Sequence, residues 1–152
     1  MTNPTGLRPS NNPFLAPPVD ADAPDAEHLV AARQDKPWGH EILFADGSNG
    51  YVGKLIHVTA GRSLSLQLHH RKDETISVIS GEIQFEAGLS AALLERTTMI
   101  AGDTVHVPAN VIHRITAVTD AVLVEASTAG VGWQHDVVRL SDDYGRGGTS
   151  AP

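Results

Sequence analysis

The sequence contains no cysteine, and positively charged residues are scarce. Without thiols the chain forms no disulfide and offers no thiolate to a metal, which fits a cytoplasmic protein. Eleven Lys and Arg stand against 18 Asp and Glu, giving a formal net charge of −7. Because nucleic-acid-binding domains normally carry a basic patch, we expect no nucleic-acid partner. No apolar run approaches a membrane span or a signal-peptide core, so we expect no membrane partner.

Proline is unevenly distributed, and six of the nine prolines lie within residues 1–24. Proline interrupts helices and central strands, and little apolar area accompanies it here. We therefore predict a Pro-rich N-terminal tail over residues 1–35, either disordered, draped on the surface or docked on a neighbouring subunit. Within it, residues 25–34 favour a short helix. The length suits one domain, predicted at residues 36–146, and residues 147–152 are predicted to be a flexible C-terminus.

From residue 38 onward, short alternating runs are separated by turn clusters such as Asp46-Gly47-Ser48-Asn49-Gly50. Many short strands with regular turn signals are typical of an all-β sandwich or barrel. No strong helical periodicity competes with this pattern. Ten strands are predicted, at residues 41–44, 51–58, 63–69, 75–80, 82–86, 92–97, 104–107, 113–118, 122–126 and 136–139.

Donor groups suited to a metal follow one alternating run, Ser63-Leu-Ser-Leu-Gln-Leu-His69. Because strand side chains alternate between faces, Gln67 and His69 share one face and the three leucines share the other. His70 has the parity of the leucines and is the weaker candidate. A half-exposed antiparallel strand with its polar face in water predicts the same alternation, so this strand alone does not separate the two interpretations.

Glu74 and His113 extend this candidate set. Glu74 follows a short polar turn and opens the next strand-like run, whereas His113 lies further along, after the Pro108-Ala109-Asn110 turn. Imidazole, carboxylate and amide oxygen together suit one divalent transition-metal ion, such as Zn, Mn, Fe, Ni or Co. Since no thiol is available, an open site with water-occupied positions is favoured over a closed structural zinc site. By composition alone, such residues are also common on surfaces.

Two other residues are candidates for chemistry. Lys54 has the parity of Val52 and Ile56, so it is either an exposed charge on a wet face or a lysine lining a barrel. In the barrel it would bind a phosphate or carboxylate as a point charge. His106 alternates with the valines on either side of it. It either lies on the surface or points into the cavity beside the metal as a general acid or base.

The spacing of these residues resembles the two motifs of the cupin superfamily. The first motif is resembled by Gly61, Gln67, His69, Glu74 and Gly81, with glutamine in place of its first histidine, and the second by Gly102, Pro108 and His113. The resemblance implies a single-domain cupin, a double-stranded β-helix or jelly-roll barrel. It also implies that the metal ligands are Gln67, His69, Glu74 and His113.

A closer resemblance is to the mannose-6-phosphate isomerase branch of the cupins, which includes the C-terminal domain of bifunctional mannose-1-phosphate guanylyltransferases. It rests on Lys36-Pro37-Trp38-Gly39-His40-Glu41 and on two closing segments, Asp136-Val137-Val138-Arg139-Leu140 and Asp142-Asp143-Tyr144-Gly145-Arg146. The branch usually shows a third histidine and an aromatic residue around the metal turn, the turn between His69 and Glu74. This chain departs from it there, with Arg71-Lys72-Asp73 and Thr75-Ile76. By resemblance we expect a homodimer.

The resemblance implies a metal-dependent sugar or sugar-phosphate isomerase that acts on a small-molecule substrate through ene-diol chemistry. In that reaction the metal polarises the carbonyl, His106 shuttles the proton, and Lys54 anchors the anionic end of the substrate. The alternatives are a non-haem iron dioxygenase, a cupin that modifies a natural product, and a non-enzymatic cupin that binds a small ligand such as a sugar. Fold alone does not choose among them.

Overall fold

The computed structural model describes residues 26–150, and most regular structure in that range is β-strand, which confirms the all-β expectation. The one helical element described is a 3₁₀ turn, Trp133–His135. Within residues 26–150 no helix is long and apolar enough to cross a bilayer. The strands are β1 Ala32–Lys36, β2 Gly39–Asp46, β3 Tyr51–Val58, β4 Leu66–His69, β5 Glu74–Ser80, β6 Glu82–Ser90, β7 Leu93–Ile100, β8 Thr104–Val107, β9 Ile112–Ala117, β10 Ala121–Thr128 and β11 Val137–Ser141.

The strands form two antiparallel sheets. Sheet A has six strands in the order β1-β2-β3-β10-β5-β8, and sheet B has five in the order β11-β4-β9-β6-β7. Strands far apart in the sequence become neighbours in both sheets, as β3 and β10 do in sheet A and β4 and β9 do in sheet B. This topology brings the two motif-bearing regions of the chain, around β4–β5 and around β9, into one interior.

Apolar side chains that point inward from both sheets form the hydrophobic core. They occupy alternate strand positions, as the period of two requires. Burying each large aliphatic side chain contributes about 1.5 to 3 kcal/mol. The largest fully buried side chains are Ile83, Ile115, Leu123, Val52, Val78 and Val107.

The helix predicted for residues 25–34 is wrong over the residues that the structure describes. Ala32–Lys36 instead forms strand β1, which pairs with β2 across a two-residue turn between Lys36 and Gly39. Gly39 has a φ of 151°, and a Cβ there would collide with the backbone carbonyl of His57. Strand pairing overrides the weak helix propensity of this segment. Of the tail predicted over residues 1–35, residues 1–25 lie outside the described residues.

Eight of the ten predicted strands differ from the observed strands at one or both ends. The strand predicted at residues 63–69 begins only at Leu66. Ser63 makes an isolated bridge to Thr116, and the chain between Ser63 and Leu66 is irregular. At the C-terminus, the backbone N–H of Gly148 donates to the carbonyl of Arg139 at 2.8 Å. The segment after β11 therefore folds back towards that strand, and the flexible C-terminus expected at residues 147–152 stays a prediction.

Candidate metal centre

Three buried side chains from both sheets meet in the interior. His69 ends β4 and His113 lies on β9, both in sheet B, while Glu74 opens β5 in sheet A. Their residues are 6%, 3% and 3% exposed, respectively. One ligand atom from each lies within 4.8 Å of the others. The antiparallel topology thus assembles a carboxylate and two imidazoles that the sequence separates.

The hydrogen bonds of the two histidines fix which ring nitrogen faces the carboxylate. His69 Nδ1 lies 3.0 Å from the carbonyl oxygen of Asp136, and His113 Nδ1 lies 3.0 Å from that of Val111. A carbonyl oxygen only accepts, so each Nδ1 carries the proton and donates it. In the neutral rings, the lone pairs of both Nε2 atoms then point at Glu74 Oε1, at 2.8 and 3.2 Å.

Two acceptors facing an acceptor in a dry site need a cation. Among the described residues, the buried His69 Nε2 and Glu74 Oε1 have no hydrogen-bond partner of proper geometry. An unpaired buried polar group costs about 1 to 3 kcal/mol. A divalent metal ion would satisfy all three atoms, and backbone carbonyls that hold Nδ1–H are the usual outer partners of metal-binding histidines. The donor set therefore fits a transition-metal ion.

Electrostatics keeps Glu74 ionised. Burial raises the pKa of its carboxyl, but its contacts in the cluster, with the Lys72 ammonium as the fixed cation, outweigh burial and hold that pKa well below its usual range. Lys72 Nζ lies 3.1 Å from Glu74 Oε2 and 3.0 Å from Glu125 Oε1. Burial lowers the pKa of Lys72, and the two carboxylates more than reverse this and raise it. Both groups are therefore charged at neutral pH.

The turn that joins β4 to β5 is tied to Asp136. The Asp136 carboxylate accepts hydrogen bonds from the backbone N–H groups of His70, Arg71 and Lys72, at 3.2, 2.9 and 2.8 Å. Burial raises the pKa of Asp136, but these three donors and the nearby His69 ring outweigh burial and lower it. Since the Asp136 carbonyl also holds His69, this one residue positions both the turn and a candidate ligand.

Gln67, the fourth predicted ligand, lies beside this cluster. Its Cα is paired with that of His113 across β4 and β9, and its Oε1 accepts a hydrogen bond from Ser65 Oγ at 2.8 Å. Its ligand role stays a prediction. His70 lies outside the cluster, exposed, with Nδ1 3.2 Å from Asn110 Oδ1, as strand parity predicts.

Two small cavities adjoin the cluster and share part of their walls. Glu74 and His113 line the smaller, of about 20 Å³, and Gln67 and Glu125 line both it and its neighbour of about 90 Å³. Larger open clefts of about 530 and 500 Å³ run along β6 and β7, but their linings, drawn from the described residues, include none of these donor groups. The interior around Glu125 is thus the space next to the candidate metal.

The larger interior cavity is bordered by charged groups. Lys36, Glu41, Arg139 and Arg146 line it. Glu41 sits between two lysines, with Lys36 Nζ 3.2 Å and Lys54 Nζ 3.3 Å from its oxygens. Burial raises the pKa of Glu41, but Lys54 and Lys36 outweigh burial and lower it. Cations therefore outnumber carboxylates at this end of the cavity.

Lys54 points inward, which agrees with the barrel-lining alternative. Its side chain is 15% exposed, and its Nζ lies 5.5 Å from the centre of the Trp133 ring. Its Cα is paired with that of Glu125 on the neighbouring strand. Lys54 is therefore one strand away from the carboxylate that faces the metal cluster, and its role in anchoring a substrate stays a prediction.

The structure does not bring His106 to the cluster, which agrees with the surface alternative for this residue and not with a place in the cavity beside the metal. Its Cα partner on β5 is Thr75, whereas that of Val107 is Glu74. Paired residues project to the same face, so His106 points outward while Val107 and Glu74 point inward. His106 is exposed, and its Nδ1 lies 3.3 Å from Thr75 Oγ1.

Lys72 and Glu125 are the site residues that sequence reasoning missed. For Glu125 a signal was available, because it has the parity of Ala121 and Leu123, which are buried. A carboxylate at an apolar parity indicates a polar interior. For Lys72 there was none, since a lysine in a polar turn is normally exposed.

The chain matches the protein family described as Mannose-6-phosphate isomerase C-terminal over residues 23–142. It is 31% identical over 113 residues to the Xanthan biosynthesis protein XanB of Xanthomonas campestris pv. campestris, covering 73% of this chain and 23% of that protein. It is 28% identical to the Mannose-1-phosphate guanylyltransferase of Escherichia coli K12, covering 79% and 24%. The chain thus spans about a quarter of the length of these relatives.

Solved structures give the fold. The capsular polysaccharide assembling protein CapF from Staphylococcus aureus has a TM-score of 0.61 at 18% identity, covering 76% of this chain and 35% of that chain. KdgF from Halomonas sp. has a TM-score of 0.56 at 18% identity, covering 65% and 88%. At such identities the likeness shows the fold alone, and it is the predicted cupin fold. Because the family match covers well over half of the chain, this protein belongs to the Mannose-6-phosphate isomerase C-terminal family.

Proposed function

We propose that this protein is a metal-dependent enzyme that interconverts the aldose and ketose forms of a sugar or sugar phosphate. The observation that carries the proposal is the pair of histidines whose Nδ1–H groups are held by backbone carbonyls, so that both Nε2 atoms face Glu74 Oε1. Membership of the family supports the choice of a sugar substrate. Guanylyl transfer, named for full-length relatives, is outside the proposal.

The chain's own residues would divide the work. His69, His113 and Glu74 would hold the ion, with the amide oxygen of Gln67 as a fourth ligand. Bound there, a divalent Zn, Mn, Fe, Ni or Co ion would supply Lewis acidity to a carbonyl and its neighbouring hydroxyl. Glu74 stays charged because Lys72 contacts its second oxygen.

The charged end of the larger cavity suits an anionic substrate group. Lys36, Arg139 and Arg146 line it, and Lys54, which contacts the lining residue Glu41, would anchor a phosphate as a point charge. The cavity of about 90 Å³ is smaller than most ligand pockets, which span about 300 to 1,000 Å³. Substrate entry therefore requires movement of the wall.

A second candidate is a non-haem iron dioxygenase, which the donor set itself favours. Two histidines and one carboxylate with open positions form the familiar facial triad of such enzymes. A natural-product-modifying cupin would need a larger apolar cavity, and the cavity here is small and charged. A non-enzymatic sugar-binding module remains the third candidate, distinguished by ligand binding that does not depend on metal.

The test is to strip the purified protein with a chelator, reload it separately with Zn, Mn, Fe(II), Co or Ni, and assay interconversion of mannose 6-phosphate and fructose 6-phosphate. We expect activity in at least one loaded form and none in the stripped form. Full metal loading without turnover of the free sugar or its phosphate would overturn the isomerase. Oxygen uptake by the iron form with a dicarbonyl or thiol substrate would favour the dioxygenase.

The homodimer and the cytoplasmic location expected from the sequence stay predictions. Sedimentation at micromolar concentration tests the first, and a monomer would reject it. Fractionation of the source cells tests the second.

A further inference from the structure

We propose that Glu125 is the catalytic base of this cavity, held in place by Lys72 and Ser127. The inference rests on the proposed isomerase function and names the proton carrier that the reaction needs. The outward-pointing His106 is not placed to carry that proton.

Glu125 faces the space where a substrate would lie. The residue is 4% exposed and lines both interior cavities. Lys72 Nζ donates to its Oε1 at 3.0 Å, and Ser127 Oγ donates to the same oxygen at 3.1 Å. Both of these donors, which lie among the described residues, bind Oε1. That arrangement fixes the carboxylate and leaves Oε2 to meet a substrate.

The position of Lys72 sets the distance between this base and the metal centre. One ammonium nitrogen lies within 3.1 Å of Glu74 and 3.0 Å of Glu125, so the nearest oxygens of the two carboxylates are within about 6 Å of each other. Glu125, Glu74 and His113 also line the same small cavity. A substrate carbon in that cavity, with its oxygen at the metal centre, would be within reach of Glu125. A base must approach the proton it removes to about 2.6 to 3.2 Å between heavy atoms.

Charge favours this arrangement. Two carboxylates this close would repel each other in a dry interior, and the cation between them removes that penalty. Apolar residues of similar volume at these positions would stabilise the fold at least as well, because buried ion pairs contribute little to the free energy of unfolding. A network of Lys72, Glu74, Glu125 and Ser127, with one carboxylate oxygen facing a cavity, suits a reaction better than a packing role.

The proposed step balances without a co-reactant. Glu125 takes the proton from C2 of the aldose, the electron pair of the C2–H bond forms the C1–C2 double bond, and the C1–O π pair moves onto the C1 oxygen, which gains a proton. In the return step the C2 hydroxyl loses its proton, its O–H pair forms the C2–O π bond, and the C1–C2 π pair takes a proton at C1. Glu125 returns that proton to C1. The proton that the C1 oxygen gains is matched by the one that the C2 hydroxyl loses, so aldose becomes ketose with no oxidant or reductant.

The test compares Glu125→Gln with the metal-loaded wild type. The amide keeps an acceptor for Lys72 and Ser127 but cannot take a proton. The matched control is Glu86→Gln, since Glu86 is also buried and paired with cations, Arg96 and Arg114, but outside the cavity. For each protein we would measure kcat and KM for mannose 6-phosphate, metal content, thermal midpoint, and deuterium uptake from heavy water into the substrate.

We expect Glu125→Gln to lose at least about 100-fold in kcat and in deuterium uptake, within the range general-base catalysis supplies. Metal content and KM should stay close to wild type, and Glu86→Gln should keep its kcat.

If Glu125→Gln keeps kcat within threefold while only its thermal midpoint falls, the residue is structural and the inference fails. If the metal-loaded wild type itself turns over no sugar phosphate, the proposed function fails first, and the inference falls with it. Should the glutamine variant fail to fold, Glu125→Asp, which keeps the carboxylate but withdraws it, should show a partial loss, and an unchanged kcat would equally overturn the inference.

Discussion

The interior between the two sheets has a donor-rich end and an apolar end, and the same three strands, β5, β9 and β10, line both. On β5 the inward residues change from Glu74 to Ile76, and on β9 they change from His113 to Ile115. On β10 the change from Glu125 to Leu123 runs in the opposite chain direction, since this strand is antiparallel to β5. Within one alternation step, each strand passes from a charged, donor-rich end to a dry apolar end.

The difference shows which end supports the fold and which supports chemistry. At the apolar end, dense packing supplies stability in proportion to the area buried. At the donor-rich end, each buried charge costs desolvation free energy that its partners only offset. A buried lysine between two buried glutamates beside two histidines is therefore best explained by what it binds.

His69→Ala should empty the donor-rich end and leave the apolar end intact. We expect metal affinity to fall by more than the 10- to 100-fold that loss of an outer partner costs, and turnover to fall to background. The fold should persist, as judged by circular dichroism. His106→Ala is the matched control, because this exposed histidine lies on the outer face. Wild-type metal content in His69→Ala would contradict the assignment.

Leu123→Ala should do the reverse. Leu123 is 0% exposed at the apolar end, and such truncations cost about 2 to 5 kcal/mol of unfolding free energy. Metal content per folded molecule should stay unchanged, which denaturant unfolding and elemental analysis together would show. Leu89→Ala is the control, since Leu89 is 87% exposed and its loss should change stability by no more than about 0.5 kcal/mol. A metal loss in Leu123→Ala that exceeds the unfolded fraction would mean that the two ends are not separable.

Asp136→Asn should lower metal affinity by loosening the turn between β4 and β5, which positions the candidate ligands His69 and Glu74. The carboxylate that gathers three backbone N–H groups of the metal turn would become an amide, with fewer acceptor sites and a donor among donors. We expect metal affinity to fall about 10- to 100-fold, measured by competition with a chelating dye. Asp120→Asn serves as control, because Asp120 also accepts a backbone hydrogen bond, from Ala60, but not in this turn. Equal affinities in the two variants would remove Asp136 from the account.

The contribution of Glu41, at the charged end of the larger cavity, to the free energy of unfolding should depend on pH. The pKa of Glu41 is lowered in the folded state by Lys54 and Lys36, which outweigh burial. Its stabilising effect is therefore present above the unfolded-state value of about 4.3 and is lost as pH falls through the lower folded-state pKa. We expect the stability gap between wild type and Glu41→Gln to be widest at neutral pH and to close in acid, in denaturant unfolding series at several pH values. A gap that does not vary with pH would show that Glu41 is not ionised between its lysines.

Alternation along single strands was enough to predict most of the strands and the face that two candidate ligands share. It placed β3 and β8 with their observed ends and put Gln67 and His69 on one face. It failed where pairing between distant segments decides the outcome. Strand β1 exists because β2 offers a partner, and no local pattern marks it.

The candidate site shows the same division. Donor types and the resemblance identified His69, Glu74 and His113, which the structure brings together. The orientation of His106 depends on its register with Thr75 across β5 and β8, and the sequence of β8 alone does not contain that register. The burial of Lys72 depends on how a turn folds under Glu125, a contact between residues 53 positions apart.

The most direct test of the central claim is the metal stoichiometry of the purified, untagged protein, measured by elemental analysis before and after reconstitution with first-row transition metals. We expect close to one ion per chain, bound through the two Nε2 atoms and Glu74. No bound metal under any of these conditions would contradict it, because the facing acceptors would then have to be explained by protonated histidines, and both enzymatic proposals would fall.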